Sequence, residues 1–372
     1  MVGADIGVFR DNLLLRGGAE RTSLKVKSLL DADMVTSGFN PECFAGWDTS
    51  QITDIGNLTA SVKKRVSGYP GFDSFYRVGF LETACRFRMY RGRRDFGVNI
   101  FSGFYSIFAA EADAYNVWYC HSPNRTLYDL WDDVYYSKPW MLRPLWDAYS
   151  RILRPLDQEA VKDRMDLIIC ESDVVRRRVK EYYGLDPKVL FGPVTTSRFQ
   201  DLGVGDYYLA VNRLIPEKRV DVIVSAFKSL PSEKLVVVGD GPLRARLEEV
   251  AADSGNIVFK GLVDEQELLR LYGGCKATVY LPVAEDFGLI PVESNACGKP
   301  CITVEEGGCS ETVRDGKTGF FIEPTPGALA ECVKSLDDAS LSSMADECLA
   351  WSVRFDDQVF REKLSDLIGS HG

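Results

Sequence analysis

The sequence predicts an α/β protein built from two Rossmann-like, doubly wound domains. Short apolar runs alternate with helical segments along the chain, a pattern typical of parallel sheets flanked by helices. The 372 residues are enough for two domains of ordinary size. A Gly-rich, polar segment at 191–206 interrupts the alternation, and we place the domain linker there.

In the first half, the predicted strands and helices alternate from the N-terminus. A first strand at 6–9 leads through Gly17 and Gly18 into a helix that reaches about Leu30. Further strands are predicted at 98–101, 116–120 and 166–170. Helices are predicted at 140–163 and 173–184, the last closed by Gly184.

The second half repeats this alternation. Its predicted strands are 207–212, 234–240, 256–261, 277–282, 301–304 and 319–324. Its predicted helices are 219–229, 242–252, 265–275, one that begins near 288, and an amphipathic one at 356–369. We therefore assign domains to 1–195 and 196–355, with a C-terminal helix, 356–372, that packs back on the first domain. Two such domains should face a cleft at the carboxyl ends of their strands.

Charge and composition exclude several classes of protein. Residues 1–195 contain 26 basic and 25 acidic side chains, and residues 196–372 contain 18 and 29. The acidic second half argues against nucleic-acid binding, for which a basic domain is expected. The start of the chain lacks the long apolar stretch of a signal peptide, and no run approaches a membrane span. We expect a cytoplasmic protein with ten reduced cysteines.

A dense basic stretch at 86–94 contains five arginines. Two interpretations stay open: a solvated helix end, or a patch for an anionic membrane surface or lipid phosphate. The chain has only two histidines, His121 and His371, which argues against zinc clusters and multi-histidine catalysis. We expect neither a metal nor a cofactor.

The segment from Glu285 to Glu293 is the richest in candidate chemistry. Its two carboxylates lie eight residues apart, on either side of the predicted start of a helix at Gly288. Free backbone N–H groups and the positive end of the helix dipole suit a phosphate there. A capped surface helix is the alternative interpretation of these residues alone.

Four ordered motifs in this region closely resemble retaining glycosyltransferases of family 4. They are E-x-F-G-x-x-x-x-E at 285–293, A-C-G-x-P at 296–300, G-G-x-x-E at 307–311 and D-G-x-T-G at 315–319. The resemblance implies the GT-B fold, with a nucleotide sugar bound in the cleft between two Rossmann-like domains. It also implies that Glu285 binds donor sugar hydroxyls and Glu293 the ribose.

The turn after the first strand of the second domain resembles the R-L-x-x-x-K signature of the same family. The resemblance implies that Arg213 and Lys218 hold the donor diphosphate, with the amides of Phe287, Gly288 and Leu289. Positive groups are needed there because the leaving diphosphate gains charge as the glycosidic bond breaks. Val263 lies in a stretch similar to the one that contacts the nucleotide base.

The segment 239–242, Gly-Asp-Gly-Pro, permits two interpretations. It could be part of a dinucleotide-binding fingerprint, but Arg244 occupies the position of the third glycine. It also matches the V-G-x-G-P turn of the glycosyltransferase family.

The first half adds weaker resemblances. Gly17 and Gly18 resemble the family's Gly-rich loop, implied to approach the donor. His121 follows a strand and matches the family's cleft histidine. The run 121–130 is similar to a segment of a GDP-mannose-using branch, although Thr126 and Tyr128 depart from it. Glu171 stands where many relatives carry a small or amide residue, and the sequence offers no reason for it.

Together these resemblances imply an enzyme that transfers a hexose, with mannose favoured, from a nucleotide-diphosphate sugar to a glycan or lipid-linked acceptor with retention. GDP-mannose is the favoured donor, His121, Glu285, Arg213 and Lys218 are the expected catalytic residues, and no metal is required. Two alternatives stay open: a nucleotide-sugar epimerase or phosphorylase of the same fold, and an inactive nucleotide-sugar-binding protein.

Overall fold

The computed structural model describes residues 5–15, 17–56 and 78–370. The chain divides into two compact units, the first made of residues 1–191 and 361–372, the second of residues 192–360. Each unit contains one parallel sheet with helices around it. The predicted fold class, two Rossmann-like parallel-sheet domains, is confirmed.

The sheet of the first unit has the strand order β3-β2-β1-β4-β5-β6-β7. Its strands are β1 Ile6–Arg10, β2 Asp33–Thr36, β3 Ile52–Asp54, β4 Val98–Phe101, β5 Tyr115–Cys120, β6 Leu167–Cys170 and β7 Lys188–Val189. Its helices are α1 Gly18–Leu30, α2 Val78–Met89, α3 Trp131–Ser137, α4 Arg143–Arg164 and α5 Asp173–Tyr183. β4 and β6 are buried along their whole length, which explains the apolar sequence of β6. The buried Asn99 of β4 donates its side-chain amide to Asn116 of β5 at 3.3 Å.

The second unit has a sheet with the strand order β10-β9-β8-β11-β12-β13. Its strands are β8 Tyr207–Val211, β9 Lys234–Val238, β10 Ile257–Gly261, β11 Thr278–Tyr280, β12 Cys301–Thr303 and β13 Gly319–Phe321. Its helices are α6 Val220–Lys228, α7 Arg244–Ala251, α8 Glu265–Gly273, α9 Leu289–Ala296, α10 Cys309–Thr312, α11 Pro326–Ser335, α12 Asp338–Ser343 and α13 Ala345–Ser352. The last helix, α14 Asp357–Gly369, begins in this unit, and its residues from Arg361 onward belong to the first unit.

The order of the strands marks where a ligand would bind in each sheet. The winding of the chain reverses between β1 and β4 in the first sheet and between β8 and β11 in the second. In open α/β sheets, ligands bind outside the carboxyl ends of the strands at this switch point. The residues after β8 and β11 are therefore the first place to look for a site in the second unit.

Most of the segment predicted as a linker is bound within the second unit. Val194 forms a bridge with Asp356, and Leu202 N donates to Gly273 O at 3.0 Å. Asp201 is paired with the buried ammonium of Lys299 at 2.5 Å. These contacts place residues 194–202 within the second unit, and the chain passes between the units near residues 191–192 and again at 360–361.

Strands β2 and β3 lie at one edge of the first sheet and were not predicted. They are four and three residues long, and β3 has no fully buried residue. Such short, partly exposed strands show little of the apolar run by which a buried strand is recognised. In the described part of the chain, no helix is both long and apolar enough to cross a membrane.

Candidate functional site

A lysine, a tyrosine and a glutamate meet at the carboxyl ends of β8 and β11. Lys218 ends the short turn after β8, Tyr280 ends β11, and Glu285 lies in the loop that follows. The Lys218 ammonium donates to the Tyr280 hydroxyl at 2.9 Å and to the Glu285 carboxylate. Burial and the charge of Glu285 raise the pKa of Tyr280 well above its ordinary value, so its hydroxyl stays protonated. The structure thus joins two predicted site residues through a tyrosine that sequence reasoning did not single out.

Two neighbouring side chains in the turn after β8 have no hydrogen-bond partner among the described residues. The Arg213 side chain is exposed, and within the described ranges no hydrogen bond or ion pair holds its guanidinium. Asn212 is 6% exposed, and neither atom of its side-chain amide has a hydrogen-bond partner among the described residues. Buried polar atoms are normally satisfied, so this amide and the neighbouring exposed guanidinium are candidate groups for contact with a ligand. Sequence reasoning missed Asn212, although it directly precedes the R-L-x-x-x-K signature.

Arg219, the next cation in this turn, is engaged. Its guanidinium donates to both carboxylate oxygens of Glu306, at 3.1 and 3.2 Å. The pair connects the turn after β8 to the segment just before the Gly307–Gly308 pair. Arg213 and Arg219 therefore differ clearly in their availability to a ligand.

The glycines of the 239–242 segment pack against the backbone of this turn. Gly239 has a φ of +124°, and a Cβ atom there would lie 1.8 Å from Asn212 O. Gly241 has a φ of +158°, and a Cβ atom there would lie 2.6 Å from Leu214 O. No larger residue fits at either position without displacing backbone. The Gly-Asp-Gly-Pro segment thus packs directly against the turn that carries Asn212 and Arg213.

A second glycine pair supports the loop that carries Glu285. Gly307 has a φ of +59°, and a Cβ atom there would lie 2.2 Å from Glu285 O. Gly308 N donates to Glu285 O at 2.7 Å, and a Cβ atom on Gly308 would lie 2.3 Å from Phe287 O. The two glycines let the backbones touch, and this contact sets the position of residues 285–287.

Helix α9 begins where the sequence predicted it. Gly288 is its N-cap residue with a φ of +90°, and Leu289 is its first residue. Phe287 is buried, with its ring 5.9 Å from that of Phe355. The burial of Phe287 fixes the start of the helix, whose first amides lie beside the Glu285 loop.

Glu293 lies on the buried side of α9. It is 2% exposed, and its Oε2 accepts a hydrogen bond from the Tyr272 hydroxyl at 2.8 Å. Tyr272 belongs to an apolar cluster against which Val263 packs. The two predicted nucleotide contacts, Glu293 and Val263, therefore lie near a tyrosine that was not predicted. Its place on the buried face of α8 was the available signal.

In the first unit, His121 follows β5 and is 7% exposed. Its Nδ1 lies 2.6 Å from Glu171 Oε2, and its Nε2 lies 2.7 Å from Ser102 Oγ. These three residues follow the neighbouring strands β5, β6 and β4 directly. The structure thus supplies the partner of Glu171, the residue for which the sequence offered no reason.

Gly17 and Gly18 stand at the start of α1, Gly17 as its N-cap in extended backbone. Glu20 in the first turn accepts from Arg10, at the end of β1, at 2.6 Å. A Cβ atom on Gly17 would lie 2.3 Å from the Glu20 carboxylate. Gly17 therefore leaves room for the ion pair that joins α1 to β1. Ser23 of the same helix contacts Ser102, which joins α1 to the His121 group.

The basic stretch at 86–94 is only partly on the surface. Arg86 donates to Glu82 at 2.7 Å and to Ile55 O at 2.9 Å, and Phe87 lies in the core. Arg88 and Arg91 are exposed, and Met89 is 70% exposed. The side chains of Arg93 and Arg94 lie outside the described part of the structure. Among the arginines whose side chains the structure describes, Arg88 and Arg91 are exposed and Arg86 is not, so the basic surface is smaller than five arginines would give.

Comparison with known proteins finds a similarity in the part of the chain that carries this cluster. The model of the family described as "Glycosyl transferases group 1" matches residues 203–345, which include the Lys218–Tyr280–Glu285 cluster. The chain is 29% identical over 46% of its length to an uncharacterized glycosyltransferase of Methanocaldococcus jannaschii, of which it covers 49%. It is 32% identical over 33% of its length to a GDP-mannose-dependent alpha-(1-6)-phosphatidylinositol monomannoside mannosyltransferase of Mycolicibacterium smegmatis, of which it covers 36%.

The fold also matches a solved structure. HepE of Anabaena, in complex with UDP and glucose, superposes with a TM-score of 0.75 at 15% identity, covering 98% of this chain and 100% of that one. This likeness establishes the fold as the GT-B type. The matched region spans about half the length, or less, of these curated relatives.

Proposed function

We propose that this protein is a glycosyltransferase that moves a hexose from a nucleotide-diphosphate sugar to a glycan or lipid-linked acceptor. The proposal rests on one observation above all: at the switch point of the second sheet, Lys218 and Glu285 meet, and Arg213 of the same turn has no side-chain partner among the described residues. This cluster lies within the segment that matches the group 1 glycosyl transferase family.

Arg213 and Lys218 bind the diphosphate of the donor in this proposal. As the bond from the anomeric carbon to the phosphate oxygen breaks, negative charge builds on the diphosphate, and preorganised cations stabilise it. Lys218 can exchange its contact with Glu285 for one with phosphate, which leaves the Glu285 carboxylate to accept from sugar hydroxyls. The unpaired amide of Asn212 supplies a further donor and acceptor beside Arg213.

The start of α9 adds backbone donors. The amides of Phe287, Gly288 and Leu289 stand at a helix N-terminus, where anions are favoured. Glu293 binds the ribose, in an orientation held by Tyr272, and Val263 lies at the nucleotide base. In the first unit, Gly17 and Gly18 approach the donor, and His121 contacts its sugar.

Mannose from GDP-mannose is our favoured donor, on the resemblance of residues 121–130 to a GDP-mannose-using branch. One relative is named GDP-mannose-dependent, whereas HepE was solved with UDP and glucose. The transfer proceeds with retention by front-face substitution. The acceptor oxygen attacks the anomeric carbon from the side of the departing phosphate, and a phosphate oxygen takes the acceptor's proton.

A donor panel decides this assignment. GDP-mannose, UDP-glucose, UDP-galactose and UDP-N-acetylglucosamine should be tested for binding, for slow hydrolysis, and for transfer of labelled sugar to a membrane extract. We expect one donor, GDP-mannose, to support labelling. Interconversion of donor sugars without acceptor would indicate an epimerase, and binding without turnover an inactive protein.

Arg213 and Lys218 together are called the diphosphate clamp here. It is tested by Arg213→Ala and Lys218→Ala, with Lys276→Ala as the matched control. Lys276 has the same 18% side-chain exposure as Lys218 and is also paired with carboxylates, but it precedes β11 at the opposite end of the strand. Each clamp variant should lose about 2–4 kcal/mol of transition-state stabilisation. That corresponds to a fall in kcat/KM of about 30- to 1000-fold. Lys276→Ala should stay near wild type; equal kcat/KM values in all three variants would refute the clamp.

We also propose that transfer requires no metal ion, because Arg213, Lys218 and the helix amides supply the positive charge. In the described residues, no group of three or more His, Cys, Asp and Glu side chains could hold a metal. Activity should therefore persist in excess EDTA. Loss of activity in EDTA that magnesium or manganese restores would contradict this.

A further inference from the structure

Four short polar contacts form a continuous series of hydrogen bonds in the first unit, which we call the hydrogen-bond chain. Glu171 Oε2 lies 2.6 Å from His121 Nδ1, and His121 Nε2 lies 2.7 Å from Ser102 Oγ. Ser102 Oγ lies 2.7 Å from Ser23 Oγ, which donates to Ala19 O at 2.7 Å. All four side chains are less than a tenth exposed. The chain crosses the carboxyl ends of β6, β5 and β4 and ends on α1.

The number of protons available along this hydrogen-bond chain determines which ring nitrogens of His121 are protonated. Each hydrogen bond needs one proton, so the contacts Ala19–Ser23, Ser23–Ser102 and Ser102–His121 need three. The two serine hydroxyls have one proton each, and the Ala19 carbonyl has none. The Ser23 hydroxyl points to Ala19 O, so the Ser102 hydroxyl points to Ser23. The third proton must then be on His121 Nε2.

The fourth contact needs a further proton. The ordinary pKa of a glutamic acid lies about two units below that of an imidazolium, so of these two partners His121 Nδ1 keeps the proton. We propose that Glu171 is a positioning residue that holds His121 doubly protonated, as a buried imidazolium–carboxylate pair. A charge at this depth is stable only when it is paired, and Glu171 is the group that pairs it.

Other charged groups lie around these residues. Asp11, 6% exposed, accepts from the backbone N–H groups of Phe104, Tyr105 and Ser106, close after Ser102. The Arg10 guanidinium donates to Ser102 O and is itself paired with Glu20 of α1. The Tyr119 ring meets the imidazole edge-on, with the centroids 5.1 Å apart. The thiols of Cys120 and Cys170 belong to the same two strand ends. Burial and the charge of Glu171 raise the pKa of Tyr119 well above its ordinary value, so it adds no charge.

The consequence for transfer rests on the proposed function, in which His121 contacts the donor sugar. Both N–H groups of this imidazolium already donate, to Glu171 and to Ser102, so it offers the donor a positive charge and no base. His121 would then stabilise negative charge on the departing side and could not remove the acceptor's proton. This agrees with a leaving phosphate that takes that proton itself.

The protonation state is tested in the ligand-free protein by nitrogen NMR of the imidazoles. The chain has only two histidines, so ¹⁵N-histidine labelling yields two ring systems, and His371 serves as internal reference. The His121 signal is assigned by its loss in His121→Gln. We expect two protonated nitrogens on His121 at pH 7 in the wild type. An unprotonated Nε2 or Nδ1 at that pH would overturn the proposal.

Variants of Glu171 separate positioning from a merely structural role. In Glu171→Gln the midpoint of the His121 titration should fall by about one pH unit or more, because the opposite charge is gone. Glu171→Asp, which keeps the charge, should restore most of the difference. Identical titration of His121 in wild type and Glu171→Gln would refute the pairing even if stability changes.

The pH dependence of kcat/KM tests whether the protonation of His121 affects sugar transfer. With the active donor, the alkaline limb of kcat/KM should move to lower pH in Glu171→Gln and return toward wild type in Glu171→Asp. An unmoved limb together with a shifted NMR titration would refute the catalytic consequence and keep the imidazolium. If no donor supports transfer, the proposed function fails, whereas the NMR result still decides the protonation state.

Discussion

Glycine at position 307 permits two backbone segments to touch at the candidate site. Its φ is +59°, and a Cβ atom there would lie 2.2 Å from the carbonyl oxygen of Glu285. Gly316 has nearly the same φ, +67°, but nothing lies within 4 Å of its Cβ position. The two glycines therefore separate the cost of left-handed backbone from the cost of a steric clash.

Alanine substitutions at these positions should have different effects. Gly316→Ala should lower the free energy of unfolding by about 1–2 kcal/mol, the cost of a left-handed alanine, and leave nucleotide binding intact. Gly307→Ala should cost more and also weaken binding of nucleoside diphosphate, because the new methyl group displaces the Glu285 loop. Thermal unfolding and titration calorimetry measure both effects. Equal losses of stability and unchanged binding in both variants would contradict this.

Two residues that depart from the resembled family pattern have structural partners. Glu171 pairs with His121. Tyr128, which stands where the GDP-mannose-using branch has Trp, donates its hydroxyl to Asp157 at 2.6 Å. A tryptophan cannot make that bond in the same way, so the departure at 128 belongs to the packing of the first unit.

Helix α4 carries that buried acid in its middle. Asp157 is 2% exposed, and its Oδ2 accepts from the hydroxyls of Tyr128 and Tyr183 at 2.6 and 2.7 Å. Burial raises the pKa of Asp157 to about 6, and the two hydroxyls only partly offset this. The folded protein therefore keeps a proton on Asp157 at pH values where the unfolded chain has lost it.

Stability should fall as the pH rises through this window. Below about pH 4 both states hold the proton; between pH 4 and 6 only the folded state does, and the free energy of unfolding decreases. The total effect is on the order of 3 kcal/mol, from about 1.4 kcal/mol per pKa unit. Asp157→Asn should remove this dependence, whereas Asp163→Asn, at an exposed position of the same helix, should keep it. Urea unfolding at pH 4.5, 5.5, 6.5 and 7.5 tests this; parallel curves for wild type and Asp157→Asn would contradict it.

At the scale of the whole molecule, charge is strongly uneven. The formal net charge is −10, and the excess of acidic residues lies in 196–372, with 29 acidic against 18 basic side chains. The exposed Arg88 and Arg91 flank the exposed Met89 in the first unit. We propose that this surface docks reversibly on an anionic membrane face, where each basic residue contributes about 1 kcal/mol.

Vesicle sedimentation tests this docking. The protein should bind anionic but not neutral vesicles at low salt, and raised salt should release it. Replacement of Arg88, Arg91, Arg93 and Arg94 by Gln should abolish binding. The matched control replaces four other basic residues of the first unit, all exposed: Lys162, Arg177, Lys180 and Lys188. Equal binding by both quadruple variants would show that the stretch at 86–94 is a solvated helix end.

The fold class could be predicted from local patterns in the chain, and the same patterns predict a candidate site in the second unit. Apolar runs and capping residues are local signals, so the order of strands and helices and the start of α9 at Gly288 could be predicted. Arg213, Lys218 and Glu285 could be predicted as site residues because each lies in a short motif that is recognisable within a few residues of sequence. Strands β2 and β3 were not predicted because they are only four and three residues long, too short to show an apolar run.

Which of these residues touch could not be predicted from the sequence, because their contacts arise from the packing of the strands. Lys218 meets Glu285 across 67 positions, His121 meets Glu171 across 50, and Tyr272 meets Glu293 across 21. Such contacts depend on which strand ends lie side by side in a sheet, and no local pattern in the chain records that. The partners of Glu171 and Glu293, the free state of Arg213 and the proton count at His121 all follow from this arrangement of the strands.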